Sequence, residues 1–200
     1  ATDIGMMADA VLLALALAER FNINQNEKLA AERMAGIDLL TNLNNRRSFY
    51  KFVQPIWAMS LRSKSNTSVI MLDIDHFKLL NDNYGHALGD RVLMQLSETL
   101  QKEARSGDIL ARWGGEEFLV FLPETRLPDA VTIAERMRKK VSTIQIATDQ
   151  EEKLSFTASL GVASTLDGNV SLDDLISQAD QQLYRAKNQG RNCVCSESSG

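Results

Sequence analysis

The chain has 200 residues, of which 44% are hydrophobic and 24% charged, with a net charge of −4 and a pI near 5.3. That composition describes a globular protein with room for one well-buried core and an appendage, and its acidic balance argues against a general nucleic-acid binder, which carries a basic footprint. Its two cysteines, Cys193 and Cys195, form a CxC pair too sparse for a disulfide framework or a zinc site and read as reduced thiols of a cytoplasmic chain.

The first segment, Ile4 to Ala18, is rich in alanine and leucine and interrupted by Asp9. It falls below the ~18 apolar residues of a spanning helix and lacks the basic leader of a signal peptide. With no initial Met, the expectation is a fragment beginning at or just beyond the membrane region of a longer protein. Val11, Ala14, Ala18 and Phe21 step by three or four as a helical seam does. The pattern predicts a connector and dimerisation helix over residues 1–36, with an ordinary terminal helix packed on its own domain as the plainer alternative, then a globular domain over 37–195 and a disordered tail at 196–200.

An asparagine-rich turn, Asp38 to Asn45, leads into a predicted helix from about Arg46, with Phe49, Phe52, Val53, Ile56 and Trp57 on its apolar face and Pro55 as a point of bending. Val69 to Leu72 reads as a central buried strand running into Asp73, Ile74 and Asp75. Alternation puts the two aspartates on one side, and an acid at the end of a buried strand calls for a cation. Asn81 to Asp90 reads as a polar loop that opens a helix through Val92, Leu93, Leu96 and Leu100. Its side chains suit a nucleobase edge, as they also suit an Asx turn and helix cap.

Ile109 to Ala111 and Leu119 to Leu122 flank Arg112-Trp113-Gly114-Gly115-Glu116-Glu117-Phe118. Adjacent glycines there predict a hairpin whose turn takes positive φ. They also leave room for a phosphate or base against the backbone, and the two acids beyond suit a divalent cation. A solvated hairpin tip is the plainer alternative. Asp129 to Ile144 and Leu172 to Lys187 read as helices and Leu154 to Val162 as a strand, with Cys193 and Val194 closing the sheet. The basic cluster Arg136, Arg138, Lys139 and Lys140 reads as a solvated helix end. His76 and His86 lack HExxH spacing, and neither GxxxxGK[ST] nor GxGxxG occurs.

Taken together, DLLTNLNNRR, DIDHFKLLNDNYGHALGD, RWGGEEF, SLGVA at Ser159 to Ala163 and ADQQLYRAKNQGRN at Ala179 to Asn192 resemble the GGDEF family of diguanylate cyclases, in order, over Asp38 to Val194. Asn42 stands where the family often has Gly, and the signature reads GGEEF, a change that keeps the charge. The resemblance implies an α+β fold of the α/β sandwich type, with helices flanking a mixed central sheet as in nucleotide-cyclase and polymerase palms. It also implies condensation of two GTP into cyclic di-GMP, with release of pyrophosphate, by a homodimer holding one GTP per half-site.

On the same resemblance, Mg²⁺, with Mn²⁺ as the substitute, is held by Asp73, Glu116 and the Ile74 carbonyl. Glu117 is either a second-metal ligand or the group that helps deprotonate the 3′-hydroxyl. Asn81 and Asp90 hold guanine, Lys187 and Arg191 the triphosphate, and Phe77, Lys78 and Gly115 line the pocket. Arg105 and Asp108, an RxxD, match a product-inhibition site for cyclic di-GMP, although a surface ion pair is the default for so short a motif. An upstream sensor or membrane receptor is the expected input, and no nucleic-acid polymer is expected as partner. The competing function is a non-catalytic module that senses GTP or cyclic di-GMP by contact.

Overall fold

The computed structural model describes residues 17, 19–21, 36–148, 153–165 and 170–197. The Val11, Ala14 and Ala18 seam lies outside them, as do residues 198–200. The elements run β1 (Asn44–Asn45), α1 (Arg46–Ser63), β2 (Thr67–Ile74), α2 (Phe77–Tyr84), α3 (His86–Glu103), β3 (Ile109–Arg112) and β4 (Glu117–Pro123), then α4 (Leu127–Ser142), β5 (Gln145–Ala147), β6 (Lys153–Ser155), β7 (Ala158–Thr165), α5 (Leu172–Asn188) and β8 (Val194–Ser196). No helix among the described residues is long and apolar enough to cross a membrane.

Six strands form a mixed sheet in the order β1-β3-β4-β2-β7-β8, and β5 pairs with β6 in a separate ribbon. β2 lies antiparallel to β4 and β7, β3 antiparallel to β4, and the outer pairs β1–β3 and β7–β8 are parallel. All eight residues of β2 are buried, as the unbroken apolar run requires of a strand covered on both faces. Val69, Met71, Leu119 and Phe121 meet Phe49, Val53 and Trp57 of α1 and Leu175, Ala179 and Leu183 of α5. On the other face Ile70, Leu72, Phe118 and Val120 meet Val92, Leu96 and Leu100 of α3 and Ala134, Met137 and Val141 of α4. This is the expected α+β architecture, helices covering a mixed sheet.

Local chemistry explains the boundaries. Asn45 caps α1 by accepting from the Ser48 N–H, and Ser171 and Asp174 form a reciprocal capping box at α5. Asn42 has φ 56°, a left-handed conformation that asparagine tolerates better than most side chains, which accounts for a residue other than glycine there. Gly161 sits where an added Cβ would overlap the Ala179 carbonyl and the Leu183 N–H; the SLGVA glycine therefore lets α5 lie against β7.

Five expectations are corrected. Phe52 is 50% exposed, so the apolar face of α1 is Phe49, Val53, Ile56 and Trp57, with the helix continuing through Pro55. Asn81 to Asp90 is helical except for the break at Gly85, φ 82°, because Leu80, Leu88 and Val92 are drawn into the core. Leu154 to Val162 divides between β6 and β7, whose partners lie in different sheets. Neither Gly114 nor Gly115 has a positive φ. The hairpin is a four-residue connection, Trp113 to Glu116, closed by the Trp113 and Gly114 N–H groups donating to the Glu117 carbonyl. Lastly, Arg136 pairs with Glu103 at 2.7 Å and Arg138 with Glu135 at 3.0 Å, so half of the basic cluster is engaged in ion pairs.

Candidate active site

β2 and β4 bring the acids together at one end of the sheet. Asp73 is directly across the ladder from Glu117, a like-charged cross-strand pair that is destabilising unless a cation intervenes. Glu116 precedes it in the hairpin connection, half-buried. Lys187, near the end of α5, places its Nζ 2.8 Å from Asp73 Oδ2. Burial pushes the Asp73 carboxyl above the ordinary range, more than the Lys187 ammonium pulls it down. Burial and then the Asp73 charge raise Glu116; burial, Asp73 and Asp180 raise Glu117. Three acids that resist ionisation within a protein are a site short of positive charge.

Among the described residues no group of three or more His, Cys, Asp or Glu side chains is gathered as a closed metal cluster. The donor set nonetheless fits a hard divalent ion, which takes oxygen ligands and prefers one or two carboxylates completed by water and phosphate. Ile74 is 1% exposed, so its backbone carbonyl is the only donor it can offer.

Two clamps around these acids have no counterpart in the motif reading. Arg112 donates to the Gly115 carbonyl through Nη2 at 2.6 Å and Nε at 3.1 Å, and its Nη1 meets Asp38 Oδ1 at 3.1 Å. Asp38 also accepts from the Thr41 N–H and hydroxyl. Burial would raise its carboxyl, but the Thr41 hydrogen bonds and Arg112 outweigh that and hold it below the ordinary range. The hairpin connection is thus tied to the turn preceding α1. Asp75, the second acid of the strand end, accepts from the Ser159 and Thr157 hydroxyls and the Asn192 N–H. Its spacing from Asp73 was legible; these partners, 82 or more residues away, were not.

An added Cβ on Gly114 would lie 2.6 Å from Glu117 Oε2, the movable end of that side chain, whereas Gly115 faces open space. Beside Glu117 a cleft of about 450 Å³ is lined by Arg46, Tyr50, Trp113, Asp173 and Asp180, among others. The Arg46 guanidinium stacks 4.4 Å above the Trp113 ring.

The remaining candidate residues divide. Asn81 on α2 packs against Gly89 of α3, where a Cβ would overlap its Oδ1, and that buried oxygen has no hydrogen-bond partner among the described residues. Asp90 is the next residue and is exposed. Phe77 is 7% exposed and belongs to the core; Lys78 beside it is exposed. α2 begins at a left-handed His76 with no side-chain cap, leaving its first N–H groups open to an anion. Arg191 is exposed in the α5–β8 connection, near enough to Asp73 for its charge to lower that carboxyl.

Arg105 and Asp108 stand at the opposite end of β3 from the hairpin. The Asp108 side chain is 1% exposed and accepts from Arg105 Nη2 at 3.3 Å and from the Arg105 N–H at 2.8 Å. Arg105 Nη2 also reaches the Thr125 hydroxyl at 2.8 Å.

The family model described as "Diguanylate cyclase, GGDEF domain" matches residues 35–193. Diguanylate cyclase DgcM of Escherichia coli K12 is 44% identical over 163 residues, which are 82% of this chain and 38% of that protein. This chain therefore spans well under half the length of that relative. Among solved structures, the GGDEF domain of DgcB from Caulobacter crescentus in complex with c-di-GMP superposes with a TM-score of 0.78 at 34% identity, covering 82% of this chain and 94% of that one. The active GGEEF domain of a diguanylate cyclase from Vibrio cholerae gives 0.70 at 33% identity, covering 78% and 98%.

Proposed function

Because this chain belongs to the GGDEF family of diguanylate cyclase domains, we propose that it condenses two molecules of GTP into cyclic di-GMP at the Asp73–Glu116–Glu117 end of the sheet. The observation that carries the reading is the cross-strand Asp73–Glu117 pair. Two acids pushed above their ordinary pKa face each other beside Glu116, with Lys187 near both, Arg191 near Asp73 and Arg46 near Glu117. A magnesium triphosphate relieves that repulsion, which a purely structural role leaves unexplained.

In each half-reaction the 3′-oxygen of one nucleotide bonds to the α-phosphorus of the other, the bond to the β-phosphate oxygen breaks, and pyrophosphate leaves. The 3′-hydroxyl proton is lost to the carboxylate end of the site. Asp73, Glu116 and the Ile74 carbonyl would hold Mg²⁺, or Mn²⁺ in its place, supplying charge neutralisation for the triphosphate and the attacking oxygen. Glu117, lying along the strand face beyond Glu116, takes the proton or holds a second ion. Lys187 and Arg191 receive triphosphate oxygens, and the uncapped start of α2 at Phe77 and Lys78 adds N–H donors. Gly115, with open space before it, leaves the hairpin backbone accessible to the nucleotide.

Guanine offers N1–H and an amine to the exposed Asp90 carboxylate, which can accept both, with Asn81 packed beside Gly89 one residue before it. Adenine has no such donor pair on that edge, so loss of these contacts rejects ATP. A site that holds one GTP needs a second copy of the domain for the other half, so the working form is a homodimer. We further assign Arg105 and Asp108 to product inhibition, the exposed guanidinium being free to leave Thr125 for a guanine or phosphate edge of cyclic di-GMP.

Incubation of the purified chain with GTP and Mg²⁺ and chromatography of the products tests the reading, with Glu117→Gln as the control. Cyclic di-GMP and pyrophosphate from the natural chain, and at least roughly a hundredfold less from the variant, are expected. GTP binding with no cyclic dinucleotide at high protein concentration would instead identify a sensing module.

A further inference from the structure

Asp75 shares its side of the strand end with Asp73, and the pair looks like two ligands of one ion. The structure separates them. Asp75 is 7% exposed, and three donors from two stretches of the chain converge on its carboxylate. Ser159 Oγ donates to Oδ1 at 2.6 Å, and Thr157 Oγ1 to Oδ2 at 2.7 Å. The Asn192 backbone N–H donates to the same Oδ2 at 3.0 Å. A carboxylate so engaged is a poor candidate for a metal ligand.

The Asn192 contact shows what the carboxylate controls. Gly190, Arg191 and Asn192 have φ of 106°, 64° and 44°, three positive-φ residues in succession, of which glycine adopts the conformation freely, asparagine tolerates it and arginine disfavours it. Such a turn persists only where its surroundings hold it. The Arg191 N–H donates to the Ala186 carbonyl at 3.1 Å, Arg138 Nη1 donates to Asn192 Oδ1 at 2.8 Å, and Asp75 takes the Asn192 N–H. Of these anchors only Asp75 ties the turn to the strand end that carries Asp73.

Resting on the active-site reading above, we propose that Asp75 is a positioning residue: by anchoring the left-handed turn at 190–192 it aims the Arg191 guanidinium at the triphosphate. Asparagine in its place removes the charge that strengthens all three contacts, even where the Ser159 hydroxyl, which can also accept, takes an N–H from it. Arg191 would then keep its charge and lose its direction.

The test is a double-mutant cycle on ligand binding, read by calorimetry in Mg²⁺ with a GTP analogue whose α,β-bridging oxygen is replaced by methylene and which cannot release pyrophosphate. Arg191→Ala is expected to weaken binding roughly tenfold, the scale of one charge-assisted contact. Asp75→Asn should weaken it by a similar factor, and the double variant by no more than about twofold beyond Arg191→Ala alone. GMP, which lacks the β- and γ-phosphates, should bind Asp75→Asn as it binds the natural chain, a result that general loss of structure would not give. If Asp75→Asn does not fold, Thr157→Val removes one donor to the carboxylate. It should weaken binding of the triphosphate analogue severalfold while Arg191 is present, and add nothing when combined with Arg191→Ala. Equal losses with and without Arg191, or no loss in either variant, overturn the proposal. Normal binding by Arg191→Ala overturns the assignment of Arg191 itself.

Discussion

Glu117 faces Asp73 across two neighbouring strands where the adjoining pair, Leu72 and Phe118, is buried and apolar, and the cost of that arrangement is measurable. Removing one charge of a directly opposed like pair is worth a few tenths to about 1 kcal/mol, so Glu117→Gln should raise the melting temperature without added metal by about 1–4 °C at about pH 7.5 while abolishing synthesis. The sign with pH follows from the raised carboxyls of Asp73, Glu116 and Glu117. A folded-state pKa above the unfolded one gives stability that is complete below the unfolded value and lost as pH rises through the folded one. Asp38, held low by Thr41 and Arg112, acts oppositely: its contribution is present above the unfolded pKa and lost as pH falls through the folded one. Without metal, the site acids therefore favour mildly acidic conditions, near about pH 5, over about pH 8. The Glu117→Gln advantage should shrink as pH falls toward about 4, and differential scanning fluorimetry across pH reads both effects; an advantage independent of pH would show that charge is not its source.

At the scale of elements, Gly161 is the most constrained contact. An added Cβ there meets backbone atoms of α5 at Ala179 and Leu183, which cannot rotate away. Gly161→Ala should push α5 from β7 and cost about 1–3 kcal/mol, the usual range for overpacking; urea denaturation measures it, and a loss below about 0.5 kcal/mol would mean that the helix shifts freely. Because Lys187 and Arg191 follow on the same helix and its connection, GTP affinity should fall with it. Helices and buried strands were legible where periodicity was strong: the runs from Val69 and Leu119 and the stripe through α4 each announce their burial. Asn81 to Asn83 misled because asparagine and aspartate favour turns locally, whereas Leu80 and Leu88 decide the matter by burial. The acids stood out in the sequence by their place at a strand end and after the glycine pair, and the resemblance supplied the roles proposed for them. The ties of Arg112 to Asp38 and of Asp75 to Asn192 were not legible, since each joins residues 74 or more positions apart through side chains whose types are ordinary in isolation.

At the scale of the whole molecule, a reaction shared between two half-sites has a kinetic signature. At low concentration the initial rate of cyclic di-GMP formation should rise with the square of protein concentration, so that doubling the protein gives about four times the rate. A strictly linear dependence down to nanomolar protein would refute assembly during turnover. Product added at the start should slow the natural chain, and Arg105→Ala should remove that effect; because the variant also leaves the buried Asp108 carboxylate without its guanidinium, its melting temperature is read alongside, and inhibition persisting in a folded variant would place the regulatory contact elsewhere. The limits of the main sheet bear on how two copies can meet. Its outer strands, β1 and β8, are two and three residues long, too short to template a neighbour by main-chain pairing. The proposed homodimer would then form through side-chain contacts and not by extending the main sheet, so that its two halves could separate again after each turnover.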